Sequence, residues 1–457
     1  PRRGGTMIET LPKQVKKEAD PYLARFDRVA QDGLNSQPPW VASIRKAGIS
    51  RFAEFGFPTL QDENWRFTNV APIAKLPFRP TLGLPSHGLK PADLAKFHFS
   101  KLPGSKYVFV DGHFAPELST VLEMPAGVVV MNLAAALAQN APGIEKHFAK
   151  YAHTDNSFTA LNTAFFTDGI YIYLPQGKIV TQPVQLLFIS TARENGAATH
   201  PRNLIVAEPN SRLTLVESYV SLGQEATFTN AATEFVVGQG AGIEHSKFQD
   251  EHLRAFHIAA LQVQLGSNAN FISHSIALGA QLSRNNINTM LGGEGIECVL
   301  NGLYITKDDQ LADHFMIVDH AKPHCNSHEY FNGILDNRSK GVFHGRILVR
   351  QDAQKTDAKQ TNKNLLLSDS ATAEAKPQLE IYADDVKCTH GATVGQLNEE
   401  SIFYLRARGI GLETARRMLI HAFAGEIIDR VRCEPLREEI DAIVWERLEQ
   451  NPNLAEA

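Results

Sequence analysis

Cys388 and His390 stand two positions apart in the segment DDVKCTHGATVG. On an extended strand that spacing puts a thiol and an imidazole on one face, about 7 Å apart. Two donors of that kind suit a transition metal. Val386 shares their face and Lys387 and Thr389 lie opposite, so the face can line either a core or an open sheet surface. Taken alone, the commoner meaning of such a pair is a buried cysteine beside a hydrogen-bonded histidine. A second concentration of donors lies in LADHFMIVDHAKPHCNSHEYFNG, where Asp313, His314, Asp319, His320, His324, Cys325 and His328 follow closely. It makes His320, His324, Cys325 and His328 a candidate secondary metal site. No CxxC is present, however, and His324-Cys325-x-x-His328 needs a distant helper to complete four ligands. The competing reading is a set of polar residues at the edges of a repeat.

Both groups fall in a region of short β-branched runs punctuated by Gly and Asn, between Gly169 and Gly395. The punctuation recurs: VGQGAGIE begins at Val237, LGSNANF at Leu265 and LGGEGIE at Leu291. A period of this size is the mark of stacked coils. Each spacing can hold two rungs of about thirteen residues with two short strands apiece, which predicts a flattened β-helix with inward Val, Ile, Leu and Phe in ladders. A multi-hairpin β-sandwich is the alternative. Asn362, Asn364, Gln354, Gln360 and Gln378 are then expected as turn and ladder residues whose amides satisfy backbone groups at rung ends.

Helical periodicity brackets this body. Residues 7–75 carry apolar positions three and four apart, broken at Pro38-Pro39, and a Pro/Gly-rich connector spans 77–91. KYVFV from Lys106 to Val110 begins strand-like sequence, and 131–165 returns to helix. From Glu399 to Gln450 the pattern is helical again, with Leu412, Ala415, Met418, Leu419, Ala422 and Phe423 expected on one face. A chain of 457 residues, 43% hydrophobic and 21% charged, can bury a large core in two or three domains. A net charge of -5 leaves no footprint for nucleic acid or an anionic membrane. The longest charge-free apolar stretch, around Gly127 to Ala138, is too short for the roughly 20 residues that cross a bilayer. Four scattered cysteines argue for a reducing compartment, and PRRGGT before Met7 has no apolar core of a signal peptide. A cytoplasmic location is expected.

Three segments carry a family resemblance. The amide-rich stretch from Gln351 to Gly395, ending in Cys388-Thr389-His390, resembles the core of the SufB/SufD scaffold family of the SUF iron–sulfur cluster assembly system. FYLRARGIGLETARRMLIHAF from Phe403 to Phe423 resembles that family's C-terminal helical domain. GFPTLQDENWRFTNV from Gly56 to Val70 looks like the N-terminal signature of its SufD side, and the absence of an N-terminal CxxC-type group points the same way. The resemblance implies a mainly β fold, a central right-handed parallel β-helix with helical ends. Its expected divisions are a helical region and connector at 7–100, a core at 101–398 and a C-terminal helical domain at 399–457. It also implies a non-enzymatic scaffold that pairs with a SufB-like paralogue and recruits a SufC-like ABC ATPase, with homodimerisation open to the isolated chain. A transient iron–sulfur cluster would be shared with the paralogue, none being held tightly by this chain alone. In that family the matching strand lies at the subunit interface, so His390, with Cys388 beside it, becomes the expected contribution to the cluster site. Phe403, Leu405, Arg406, Arg408, Met418 and Leu419 become the expected ATPase contact. The chain has no G-x-x-x-x-G-K-[ST] phosphate loop of its own. The remaining alternatives are a β-helix enzyme acting on polysaccharide and a stand-alone metal-binding protein. Asp384-Asp385 alternates faces in a strand and gives the first of these no carboxylate pair.

Overall fold

The computed structural model describes residues 21–26, 38–76, 78–81, 88–152 and 155–450. Of the helical region expected at 7–75, residues 7–20 and 27–37 lie outside the described residues, as do 77 and 82–87 of the 77–91 connector and residues 451–457.

The centre of the molecule is a β-helix of eight coils. Each coil gives one strand to each of two facing parallel sheets, from Ile170–Leu174 and Val184–Ser190 to Thr372–Ile381 and Lys387–Gly395. The repeat is therefore one coil per period, with strands of mostly eight to eleven residues, and not the two thirteen-residue rungs that the spacing allowed. The sequence period was real, but its punctuation marks only one of the two turns in each coil. At that turn Asn210, Gly240, Asn268, Gly295, His324 and Lys355 all adopt positive φ. Gly and Asn reach that region most cheaply, which is why their recurrence shows in the sequence. A small or apolar buried residue follows at each turn, as at Ser211, Ala241, Ala269 and Cys325.

In-register pairing stacks like positions into ladders along the lumen. One ladder runs Phe109, Phe188, Tyr219, whose rings stack at 4.8 and 4.7 Å. The outer face of the first sheet is covered by Pro39–Phe55, Ser157–Phe165 and the segment around Trp65. Here the 56–70 signature finds its structural use. Arg284 stacks 3.8 Å over Trp65 and pairs with Asp313, which also accepts from Thr68. Deeper in, the Glu234 carboxylate pairs with Arg202 at 2.7 Å and accepts the backbone N–H groups of Ala149, Tyr151 and Ala152. This anchors the helical insertion expected at 131–165, seen as Leu133–Ala138, Ile144–His147 and Ser157–Phe165.

The outer face of the second sheet is covered by Leu412–Ile428 and Glu434–Glu449, and a further C-terminal helix, Glu399–Arg406, packs on the first of them. The middle helix docks through Ile420, Ala424, Ile427 and Ile428 onto Leu303 and Ile334. That is a different face from the one read in the sequence: Ala415 is buried, but Met418 and Ala422 point outward. No helix among the described residues is long and apolar enough to cross a membrane.

Candidate functional site

Lys387–Gly395 is the last strand of the second sheet, and its outer edge has no neighbour among the described residues. Cys388 and His390 both face inward. The ladder beneath His390 runs Gln360, Glu329, Leu300, and the ladder beneath Cys388 runs Ala358, Ser327, Cys298, every one of them buried. The same-face expectation for the pair is met, at the rim of the lumen. His390 is exposed, while Cys388 is half-buried against Ala358, Leu379 and Val386. Burial, with Asp357 adding to it, pushes the Cys388 thiol above its ordinary value. Cys388 therefore holds its proton more firmly than a free thiol, and His390 is the more accessible donor.

The facing end strand, Thr372–Ile381, is only partly covered along its length. Ile381, Tyr382 and Val394 are 40%, 64% and 51% exposed around the rim. Two unpaired strand edges with apolar side chains between them form a surface able to accept further strands.

The structure separates the donors of the 313–328 segment. Asp313 is on the outer face with Arg284, Asp319 pairs with Arg350 at 2.7 Å, and His314 is in the lumen. His320 is buried against the hydroxyls of Ser327 and Thr356. His324 holds the positive-φ turn position and Cys325 the buried one after it, its thiol directed at the Gly293 carbonyl. His328 lies on the outer face near Asp357. So His320 in the lumen, His324 and Cys325 in one turn and His328 on the outer face occupy three separate places in the repeat. Among the described residues no three His, Cys, Asp or Glu side chains converge as a metal site.

The amides also need correction. Gln354 is a turn residue, accepting the Asp385 N–H at 2.9 Å. Asn362 and Asn364, by contrast, lie within a strand and face the lumen. Tyr304 donates to Asn364 at 2.5 Å, Asn364 donates to Asn362 at 2.7 Å, and Asn362 donates to the Phe331 carbonyl at 3.0 Å. Gln378 is on the outer face with His344.

Sequence reasoning missed a charged group in the lumen. Lys247 Nζ lies 2.8 Å from His257 Nε2 and donates to Asn285 Oδ1, while His257 Nδ1 is 2.7 Å from Glu251. Burial pulls the Lys247 ammonium down to about 8, opposed by Glu217 and Glu251. The available signal was a charge at the inward register position of a strand, as in LVESYV, readable only once the register is known.

Comparison with known proteins matches the chain to two family models. The model for the SUF system FeS cluster assembly SufBD core domain covers residues 188–423, and that for the SufBD protein N-terminal region covers 16–186. The chain belongs to the SufBD family. It is 33% identical to the iron–sulfur cluster assembly protein SufD of Escherichia coli over 402 residues, covering 88% of this chain and 91% of that one. A SufBD family protein of Synechocystis sp. is 31% identical over 401 residues, 86% and 88% of the two chains. SufD of Bacillus subtilis is 24% identical over 93% and 96%. As a SufBD family member the chain is an iron–sulfur cluster assembly protein, and the resemblance read from residues 56–70, 351–395 and 403–423 is borne out. The C-terminal residues expected to contact an ATPase are placed as follows. Phe403, Arg406, Arg408 and Met418 are exposed and Leu405 and Leu419 half-exposed, with Phe403 74% exposed. Tyr404, Leu405 and Leu419 line a shallow open depression with Asn398 and Ser401.

Proposed function

We propose that this chain is a non-enzymatic scaffold subunit that completes a cluster-assembly site only by pairing with a SufB-like paralogue across the open end of its β-helix. One observation carries the reading: two inward donors, His390 and Cys388, lie on an exposed strand whose outer edge is unpaired among the described residues. Two donors cannot close a four-coordinate site. A partner strand laid along the edge would bring the missing ligands and satisfy the free backbone groups together. Iron and sulfide are substrate here. The imidazole supplies a borderline donor and the paralogue's thiolate the softer one.

A SufC-like ATPase is proposed to dock on the exposed side of Glu399–Arg406 and Leu412–Ile428, through Phe403, Leu405, Met418 and Leu419 with Arg406 and Arg408 at the rim. A cytoplasmic location goes with this reading, and an isolated chain would pair with a second copy of itself at the same edge.

The test is reconstitution of the three-protein complex with His390→Ala. The variant should fold and assemble, because His390 is exposed, yet lose cluster formation as read by visible absorbance and iron content. Cys388→Ala should lose less. Wild-type cluster content in His390→Ala would return His390 to an ordinary rim residue.

A further inference from the structure

The ladder under His390 is built in an unusual way for the interior of a β-helix. Gln360, its register partner on the neighbouring strand, and Glu329, the partner of Gln360, are both fully buried. Gln360 Nε2 donates to Glu329 Oε2 at 2.6 Å. That bond fixes which way the amide faces, since the nitrogen is used and the oxygen is left over. Gln360 Oε1 is buried with no hydrogen-bond partner, as is Glu329 Oε1. An unsatisfied buried acceptor is costly, and this one belongs to the strand next to that of His390, whose imidazole makes no hydrogen bond among the described residues. Space for the amide is reserved from the opposite sheet. A Cβ on Gly345 would come 2.1 Å from Gln360 Nε2. Among the described residues no cation faces Glu329, whose carboxyl burial pushes up to about 7, so the group is not an ion pair put there for stability.

The geometry points to Gln360, held by Glu329, as the positioning residue of His390: its free Oε1 accepts the N–H of one imidazole nitrogen and leaves the other nitrogen's lone pair for an incoming metal. A histidine that ligates metal needs its second nitrogen held in this way, which sets the tautomer and the ring orientation. In the present state His390 is exposed at the rim, and its ring settles onto Gln360 when the rim is covered. The inference rests on the reading of His390 as a ligand.

Co2+ alone, titrated into the complex of this chain with its SufB-like paralogue and followed by its visible ligand-field bands, separates the two. Gln360→Met keeps the volume and removes the acceptor, and should weaken Co2+ binding by about 10–100-fold. Gln360→Glu restores an acceptor oxygen of the same reach, sharing a proton with Glu329 in place of the amide N–H, and should recover most of that loss. Gly345→Ala displaces the same amide from the facing strand and should weaken binding in the same direction, so a folding defect in Gln360→Met would not decide the matter. Wild-type Co2+ affinity in both Gln360→Met and Gly345→Ala, with affinity lost in His390→Ala, would overturn the positioning role and leave His390 as ligand. Undiminished affinity in His390→Ala would remove the ligand reading and this inference with it.

Discussion

The two ends of the β-helix solve the same problem in opposite ways. At the N-terminal end Ser105–Val110 joins the second sheet, Val129–Asn132 closes the first, and the chain between them lays Phe114, Met124, Val128 and Val130 against the lumen. Tyr107 donates across that closure to the Val130 carbonyl at 3.1 Å. At the C-terminal end the inward residues Val394 and Ile381 are left half exposed, and the edge of Lys387–Gly395 is bare among the described residues. A solenoid needs a cap at each end to stay soluble and monomeric. This chain supplies one from its own sequence. The bare end, with Cys388 and His390 on its rim, is where an intermolecular cap is expected.

The contrast is broken most severely from the closed end. Phe109 is 1% exposed and stacked on Phe188. Phe109→Ala should lower unfolding free energy by about 3–5 kcal/mol in denaturant titration, with no change in pairing at the far end. A pairing defect without destabilisation would invert the comparison.

Glu329 tests how dry the lumen is just below the open rim. Its folded value of about 7 lies above the ordinary 4.5, so the native state binds more protons between those values than the unfolded chain does. Its share of stability is thus intact below about pH 4.5 and is lost as pH rises through about 7, a total of about 3 kcal/mol for a shift of this size. Glu329→Gln should remove that slope, leaving the variant more stable than wild type at pH 8 and similar near pH 4.5. Parallel wild-type and variant curves across this range would mean that solvent already reaches Glu329.

A charge on the open rim should do the reverse of Phe109→Ala. Val394→Asp is expected to change stability by no more than about 0.5 kcal/mol, while weakening association at that edge about 100-fold, or about 2.7 kcal/mol, in sedimentation or affinity measurements. Unchanged association would place the partner elsewhere. The smallest effect belongs to a surface away from both ends: Phe403→Ser should leave folding and edge pairing intact and cost about tenfold, near 1.4 kcal/mol, in binding to a SufC-like ATPase. Full retention of ATPase binding would move that contact off Glu399–Arg406.

The spacing of the recurring Gly/Asn turn, the helical ends and the same-face placement of Cys388 and His390 were legible in the sequence, because each rests on local rules, although how many coils fill one spacing was not. Positive φ restricts one turn to Gly and Asn often enough to show at Gly240, Asn268 and Gly295, and alternation along a strand fixes which residues share a face. Long-range pairing decided the rest. Whether the Cys388 face was core or surface depended on Lys387–Gly395 being the final strand. His324 and Cys325 read as metal donors until stacking put them in a turn column with Asn268 and Ala269. The pairing of Glu329 with Gln360 beneath His390 joins residues 30 or so apart at each step, a distance bridged only by register. Side-chain chemistry is written in the sequence, but which groups are neighbours and which are dry is a property of the stacked coils.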